Sequence, residues 1–279
     1  MIDLHLHTTA SDGRATPEDL AVAARRARLT VVAVTDHDTV AALDRMKAAC
    51  AAEGLMCVPG IEITSLHHGS DLHVLGYFFD HRSPRLTGFL ETQLEDRHRR
   101  VGEMIARLAD LGLVLDADEV LRSHAESDAR WIGRPLLARA LVRAGHVRSM
   151  REAFDLYLTE GGAAWVPRRA PSPLEVISLI HDVKGLASLA HPGLVGHDEW
   201  IDELAAAGLD ALEVYYSEHT PEMTAHYRDV ARTLGLAMSG GSDYHGDPSH
   251  GPERPGSVTL PVEAFDELRQ RAELAASLR

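Results

Sequence analysis

The first residues, MIDLHLHTTASDG, put histidines at positions 5 and 7 of a run whose apolar residues alternate, which predicts an extended strand. Side chains two apart on a strand share a face, with Cα atoms roughly 6.6 Å apart, so two imidazoles can converge on one metal ion. An H-x-H pair alone is a weak signal, because unrelated histidines often fall at that spacing. The pattern recurs, however, in the other apolar runs. His37 closes VVAVTDH, Glu62 closes VPGIE, His73 lies in DLHVLG, His191 closes LASLAH, and Asp243 with His245 closes MSGGSDYH. Asp12 follows the first run directly in ASDG, a turn sequence from which a carboxylate can reach back over the strand end. Imidazoles and carboxylates gathered in this way are the material of a hydrolytic metal centre.

Other polar residues have simpler readings. Asp36 is expected to point away from His37 if the strand persists, and Asp38 to act as the N-cap of a helix over TVAALDRMKAA. His67 and His68 fall in a predicted loop. His98, His124, His146, His219 and His226 fall on helical or loop segments, where a solvated histidine needs no special role.

The elements that must position the candidates follow from periodicity. Short apolar runs (MIDLHLH, TVVAVTDH, MCVPGIEIT, DLHVLGYFF, GLASLAHPG, GLDALEVYYS, GLAMSGGSDYH and, more weakly, GSVTLP) alternate with alanine-rich segments of helical spacing such as TPEDLAVAARRARL. Strand and helix in alternation imply a parallel sheet, and this many units imply a (β/α) barrel, whose active residues sit at the C-terminal ends of its strands. The candidates lie at those ends. The rhythm breaks between about Ser83 and Val166, where LTGFLETQLEDRHRRVGEMIARLADLG, GRPLLARALVRAGH and SMREAFDLYLTEGG read as consecutive helices. The expected organisation is therefore a barrel from residues 1–82 and 166–279, with an inserted helical subdomain over 83–165.

Composition narrows the functional classes. The 279 residues carry a formal net charge of -14, which would repel a long polyanion and argues against an extended nucleic-acid groove. No leader pattern and no membrane-spanning run is seen, so a cytoplasmic protein without a membrane partner is expected. Cys50 and Cys57 are too few for a disulfide framework or a thiolate metal cage, and both are expected to be reduced. No obligate protein partner is evident from the sequence.

Together the segments DLHLHTTASDG, VTDHD, PGIEI, LHVLGY, LAHPG and GSDYH resemble, in order and over nearly the whole chain, the PHP (polymerase and histidinol phosphatase) domain proteins of the amidohydrolase superfamily. The resemblance implies a distorted (β/α)7 barrel and a trinuclear metal site. In that reading His5, His7, Glu62 and Asp243 hold one ion, and Glu62 bridges to a second held by His73 and His191. Asp12, His37 and His245 hold the third, and Glu62, Asp243 and His191 are the catalytic members of the set. Three divalent ions set against three carboxylates leave such a site cationic, which suits a phosphate dianion. Imidazole and carboxylate donors without thiolate fit Mn(II), Fe(II) or Zn(II), and the resemblance favours Mn(II).

The inserted helices offer a second anion site. In SDARWIGRPLLARALVRAG, Pro135 suits a first helical turn and sets Arg134 at a helix N-terminus, with Arg130 four residues earlier. GRPLLARALVRAG and YLTEGGAAWVPRR resemble the subgroup of nucleoside 3',5'-bisphosphate phosphatases that includes the ribonuclease RNase AM. That subgroup often has a histidine after GRP, whereas this chain has Leu136. The implied activity removes the 3'-phosphate from a nucleoside 3',5'-bisphosphate and extends to 5'-to-3' trimming of short 5'-phosphorylated RNA. Tyr215, Tyr216 or Trp131 could stack a base, although packing is the ordinary role of each. The rival within the family is a histidinol-phosphate phosphatase, whose substrate ammonium calls for a carboxylate rather than an arginine. More distant readings are a non-phosphate amidohydrolase, which would need a bridging lysine that ends no strand here, and a regulatory metal-binding module, which would be expected to have lost ligands.

Overall fold

The computed structural model describes residues 1–117, 120, 132–247, 252 and 254–278. The chain divides into two compact units, one of Met1–Gly88 with Ala170–Arg279 and one of Phe89–Arg169.

Seven strands build the first unit: β1 (Ile2–Asp3), β2 (Val31–Val34), β3 (Met56–His67), β4 (Ser70–Tyr77), β5 (Leu186–Leu189), β6 (Ala211–Tyr215) and β7 (Ala237–Gly240). They pair in sequence order within one sheet that curls into a nearly closed barrel. Beyond β1 and β7 a parallel bridge between Leu6 and Tyr244 brings the first and last segments together. β2 and β5 are buried along their whole length, as strands covered on both faces must be, and so they read as unbroken apolar runs.

The barrel helices are α1 (Pro17–Arg26), α2 (Leu43–Glu53), α6 (Pro173–Asp182), α7 (Pro192–Val195), α8 (Glu199–Ala206), α9 (Pro221–Leu234) and α10 (Val262–Leu278). Three of them start from one local device. Thr16, Ser172 and Thr220 each precede a proline and accept a hydrogen bond from the backbone N–H three residues on, so the hydroxyl caps the helix while proline occupies a position whose N–H has no helical partner. Their apolar faces close over the sheet, and Phe265, Leu268 and Ala272 of α10 join Leu4, Val31, Val58, Leu75 and Leu186 in one core.

The sheet differs from the all-parallel expectation at one strand. β4 runs antiparallel to both β3 and β5. The cause is local: His67 pairs with Ser70, so only His68 and Gly69 connect the strands, and both have positive φ (49° and 88°). A two-residue turn of this kind can only reverse the chain, whereas a parallel neighbour needs a crossover of a dozen residues. GSVTLP forms no strand; instead Leu260 donates its N–H to Ile2 O and buries its side chain.

The second unit is helical in its described residues, with most of α3 (Pro84–Asp110), then α4 (Arg134–Arg143) and α5 (Met150–Ala153), which runs into a single π turn over Phe154–Leu158. Met104, Leu108, Leu137, Leu141, Ala153 and Leu158 make its core. A distorted seven-stranded β/α barrel with helices inserted after the fourth strand is thus what the sequence predicts and what the chain adopts. Among the described residues no helix is long and apolar enough to cross a membrane.

Candidate metal centre

His5 and His7 extend from β1 and are fully buried, as is Glu62, which is only 1% exposed on β3. Glu62 lies at the middle of the cluster, and its two oxygens face different imidazoles. Oε1 is 2.7 Å from His73 Nδ1 and 3.1 Å from His191 Nε2, while Oε2 is 3.2 Å from His5 Nε2, 3.3 Å from His7 Nε2 and 3.3 Å from His37 Nδ1. Asp243 Oδ1 lies 3.0 Å from His7 Nε2 and 3.3 Å from His5 Nε2. Asp12 closes the other side, with oxygens 3.6 Å from His7 Nδ1, 3.7 Å from His37 Nε2 and 3.4 Å from His245 Nε2. All nine sequence-derived candidates therefore meet in one cluster. Three groups in it bring ligand atoms close enough to share an ion: His5, His7, Glu62 and Asp243; His7, Asp12, His37 and His245; and His37, Glu62 and His73.

The donors fit metal ions better than they fit one another. Both nitrogens of buried His7, and Oδ1 of Asp243, make no hydrogen bond despite lying 3.0 to 3.6 Å from opposing polar atoms. Lone pairs that converge without pointing at each other are arranged to share a third atom. Electrostatics says the same. Burial would depress His5 and His7, yet the carboxylates around them outweigh it, holding His5 well above the usual histidine range and pushing His7 up to about 10. Burial likewise acts to raise Glu62 and Asp243, and the surrounding imidazoles hold both well below the ordinary carboxylate range. His37 is the exception, pulled down to about 4 by burial. The cluster demands positive charge, and divalent ions compete with protons for these nitrogens.

Residues that sequence reasoning passed over hold the ligands in place. Glu213, fully buried on β6, takes His5 Nδ1 at 2.9 Å and the His191 backbone N–H at 2.7 Å. A carboxylate at Nδ1 keeps the proton there and leaves Nε2 to face Glu62. Asp36 accepts from the Thr8 N–H and hydroxyl and from the Ser11 hydroxyl, each at 2.7 Å, which pins the loop that carries Asp12. Asp3 accepts from the Ser242 N–H and hydroxyl, the Gly256 N–H and the His5 N–H, tying β1 to the segment after β7. That close approach requires Gly241, where a Cβ would lie 2.3 Å from His5 N. His191 and Asp243 themselves hold positive φ (28° and 55°), a conformation that L residues keep only when their surroundings impose it. The signal for Glu213 was a lone carboxylate in the apolar run ALEVYY.

Asp38 departs from its expected role, and the other residues singled out by the sequence take the following places. Asp38 does not cap α2, whose first residue is Leu43; its carboxylate instead accepts the Thr64 N–H at 2.9 Å, so it fastens the β2 end to β3. Tyr216 donates its hydroxyl to Asp243 Oδ2 at 3.1 Å, and Tyr215 packs against the barrel core. Arg134 opens α4, donates to the Leu158 carbonyl at 3.5 Å and lies 6.0 Å from the Phe154 ring centroid. Arg130 and Trp131 lie outside the described residues.

Comparison with known proteins decides the family. The PHP domain model matches residues 3–150. The chain belongs to the PHP domain family. It is 34% identical over 250 residues to the 5'-3' exoribonuclease Rnm of Escherichia coli, a match covering 87% of this chain and 84% of the relative. It is 31% identical over 249 residues to a 3',5'-nucleoside bisphosphate phosphatase of Chromobacterium violaceum, covering 88% of this chain and 87% of the relative. The crystal structure of a candidate metal-dependent phosphoesterase from Bifidobacterium adolescentis superposes with a TM-score of 0.84 at 31% identity, covering 97% of this chain and 96% of that one. Family membership and the donor set make this PHP protein a metal-dependent phosphoesterase.

Proposed function

We propose that this PHP protein hydrolyses the 3'-phosphate of nucleoside 3',5'-bisphosphates, giving nucleoside 5'-monophosphates, and that the same site trims short 5'-phosphorylated RNA from its 5' end. The observation that carries the proposal is the division of Glu62, with each carboxylate oxygen facing its own set of imidazoles. That geometry supports a bridging carboxylate between neighbouring ions. His5, His7, Glu62 and Asp243 would hold one divalent ion, Glu62, His73 and His191 a second, and Asp12, His37 and His245 a third, with Mn(II) the preferred metal and Fe(II) or Zn(II) the alternatives. Such ions supply Lewis acidity toward phosphate oxygens and lower the pKa of water at the site. The chain's own part is to hold its donors still: Glu213 fixes the His5 tautomer, Asp36 the Asp12 loop and Tyr216 the orientation of Asp243. Arg134, a guanidinium at a helix N-terminus, is the proposed anchor for the phosphate that does not react. The relatives' activities support the same substrate class.

A two-by-two comparison of the parent protein and Arg134→Ala on adenosine 3',5'-bisphosphate and adenosine 3'-monophosphate tests this reading. Loss of a charge-assisted contact should lower kcat/KM for the bisphosphate roughly 30-fold to 1000-fold, about 2 to 4 kcal/mol. Turnover of the monophosphate, which lacks the anchored group, should be poor in the parent and nearly unchanged in the variant. Equal losses on both substrates would remove Arg134 from the anchoring role. No loss on either, combined with efficient hydrolysis of histidinol phosphate, would transfer the assignment to a histidinol-phosphate phosphatase.

A further inference from the structure

At the tip of the β3–β4 hairpin, apart from the nine-residue cluster, lies a second group of metal-type ligands. His67 ends β3, His68 is the first turn residue, and Glu203 projects from α8. One ligand atom from each of the three lies within 4.8 Å of the others. His67 Nε2 is 3.3 Å, and His68 Nε2 4.0 Å, from the same Glu203 oxygen, Oε2. Two donors about 2.0 to 2.1 Å from a tetrahedral zinc ion are themselves about 3.4 Å apart. The His67–Glu203 distance is that of two ligands on a shared ion, and His68 stands slightly farther out.

His67 carries the inference beyond proximity. It is only 6% exposed, yet its Nε2 makes no hydrogen bond, although the Glu203 oxygen lies close by. An imidazole N–H directed at that carboxylate would have satisfied both groups. The observed orientation has instead the signature of His7 in the main cluster, with a buried nitrogen facing carboxylate oxygen across a gap that an ion would fill. The surroundings suit this role. The Trp200 ring stands edge-on to His67, with centroids 4.8 Å apart, lies tilted against His68 at 5.7 Å, and stacks on the His197 ring at 4.1 Å. The indole gives the site an apolar wall, while His68 and Glu203, 65% and 48% exposed, leave further coordination positions to water.

We infer that His67, His68 and Glu203 form a separate transition-metal site that fastens the β3–β4 hairpin to α8. Two imidazoles and one carboxylate select Zn(II), Ni(II), Co(II) or Cu(II) over Mg(II), Ca(II) or Mn(II), which prefer oxygen-rich sites. The hairpin is the ribbon that carries Glu62 and His73, so the ion steadies a ribbon used by the main cluster without entering its chemistry.

Zinc content distinguishes the two sites. Full-length parent protein, His68→Ala and Glu203→Gln, each dialysed against the same free Zn(II), should differ by one equivalent per chain, with the parent higher. Ni(II) should quench Trp200 fluorescence saturably in the parent, and both variants should lose that phase. Turnover with Mn(II) should stay within twofold of the parent in His68→Ala, which also reports that the variant is folded. Equal zinc content in the parent and both variants, or quenching that survives both substitutions, would overturn the inference. Failure of the phosphatase reading would appear instead as absent turnover in the parent, with the zinc difference intact.

Discussion

The β3–β4 hairpin presents metal-type ligands in two regions whose supports are unlike. Where Glu62 sits, carboxylates outside the ligand set hold one imidazole and the segments that carry other ligands: Glu213 behind His5, Asp36 behind the Asp12 loop and Asp3 between β1 and the segment after β7. At the tip, the backing of His67 is an indole ring, and two of three candidate ligands are largely in solvent. The difference shows what the buried acids contribute. A cluster that must hold reacting groups to within a fraction of an ångström needs its donors oriented in advance, whereas an ion that merely ties two elements together can pull exposed side chains into place as it binds.

The largest effect should come from the group shared by the most donors. Glu62→Gln removes the negative charge that His5, His7, His37, His73 and His191 all face. Metal content by elemental analysis should fall, and turnover of adenosine 3',5'-bisphosphate should drop by about 1000-fold or more, on the order of 4 kcal/mol. Full metal content with unchanged turnover would break the assignment of Glu62 as a bridge.

Next in size is Asp3→Ala. It strands the buried donors of Ser242 and His5 and the part-buried N–H of Gly256, a buried donor being worth about 1 to 3 kcal/mol when left unsatisfied. Urea unfolding should show a loss of about 3 kcal/mol or more. A loss below about 1 kcal/mol would mean that water reaches these groups and that the support is weaker than its burial suggests.

Glu213→Gln should act on metal affinity more than on the fold. One amide oxygen can replace one carboxylate oxygen, but the amide NH2 then opposes either the His5 ring N–H or the His191 backbone N–H. Metal affinity, measured by competition with a chelator, should fall roughly 10-fold to 100-fold. An unchanged affinity would reduce Glu213 to a packing residue.

These supports also mark the boundary of what the sequence discloses. Strand-end histidines and acids were legible because a polar residue at the end of an apolar run has few structural reasons to be there. The barrel was legible because strands and helices alternate. Asp3, Asp36 and Glu213 were not, since each acts on a residue distant in the chain, such as Ser242 for Asp3 or His191 for Glu213, and no local pattern encodes that pairing. Asp38 was misread for a related reason: the helix-capping preference of aspartate is real, but the Thr64 N–H across the sheet competes for it. The antiparallel β4 was missed because His-Gly is a less familiar reversing pair than Asn-Gly, although histidine also tolerates positive φ better than most residues.

The smallest predicted effect lies at that same turn, and it sharpens the comparison most. His68 holds φ at 49°, which costs an L residue on the order of 1 to 2 kcal/mol in general and less for asparagine, the preferred first residue of such turns. If His68 served only the turn, His68→Asn would be neutral or stabilising by up to about 0.5 kcal/mol under all conditions. If His68 also ligates an ion, the same variant should match or exceed the parent in chelator but fall behind it in zinc, because an ion held at 100 times its dissociation constant stabilises the folded state by about 2.7 kcal/mol. Both proteins keep the main cluster, so zinc bound there cancels in the difference. The measurement is urea unfolding of parent and variant, each with chelator and with zinc, and the decisive quantity is the change in their stability gap. A gap that does not move with zinc would leave the hairpin tip as a turn and nothing more.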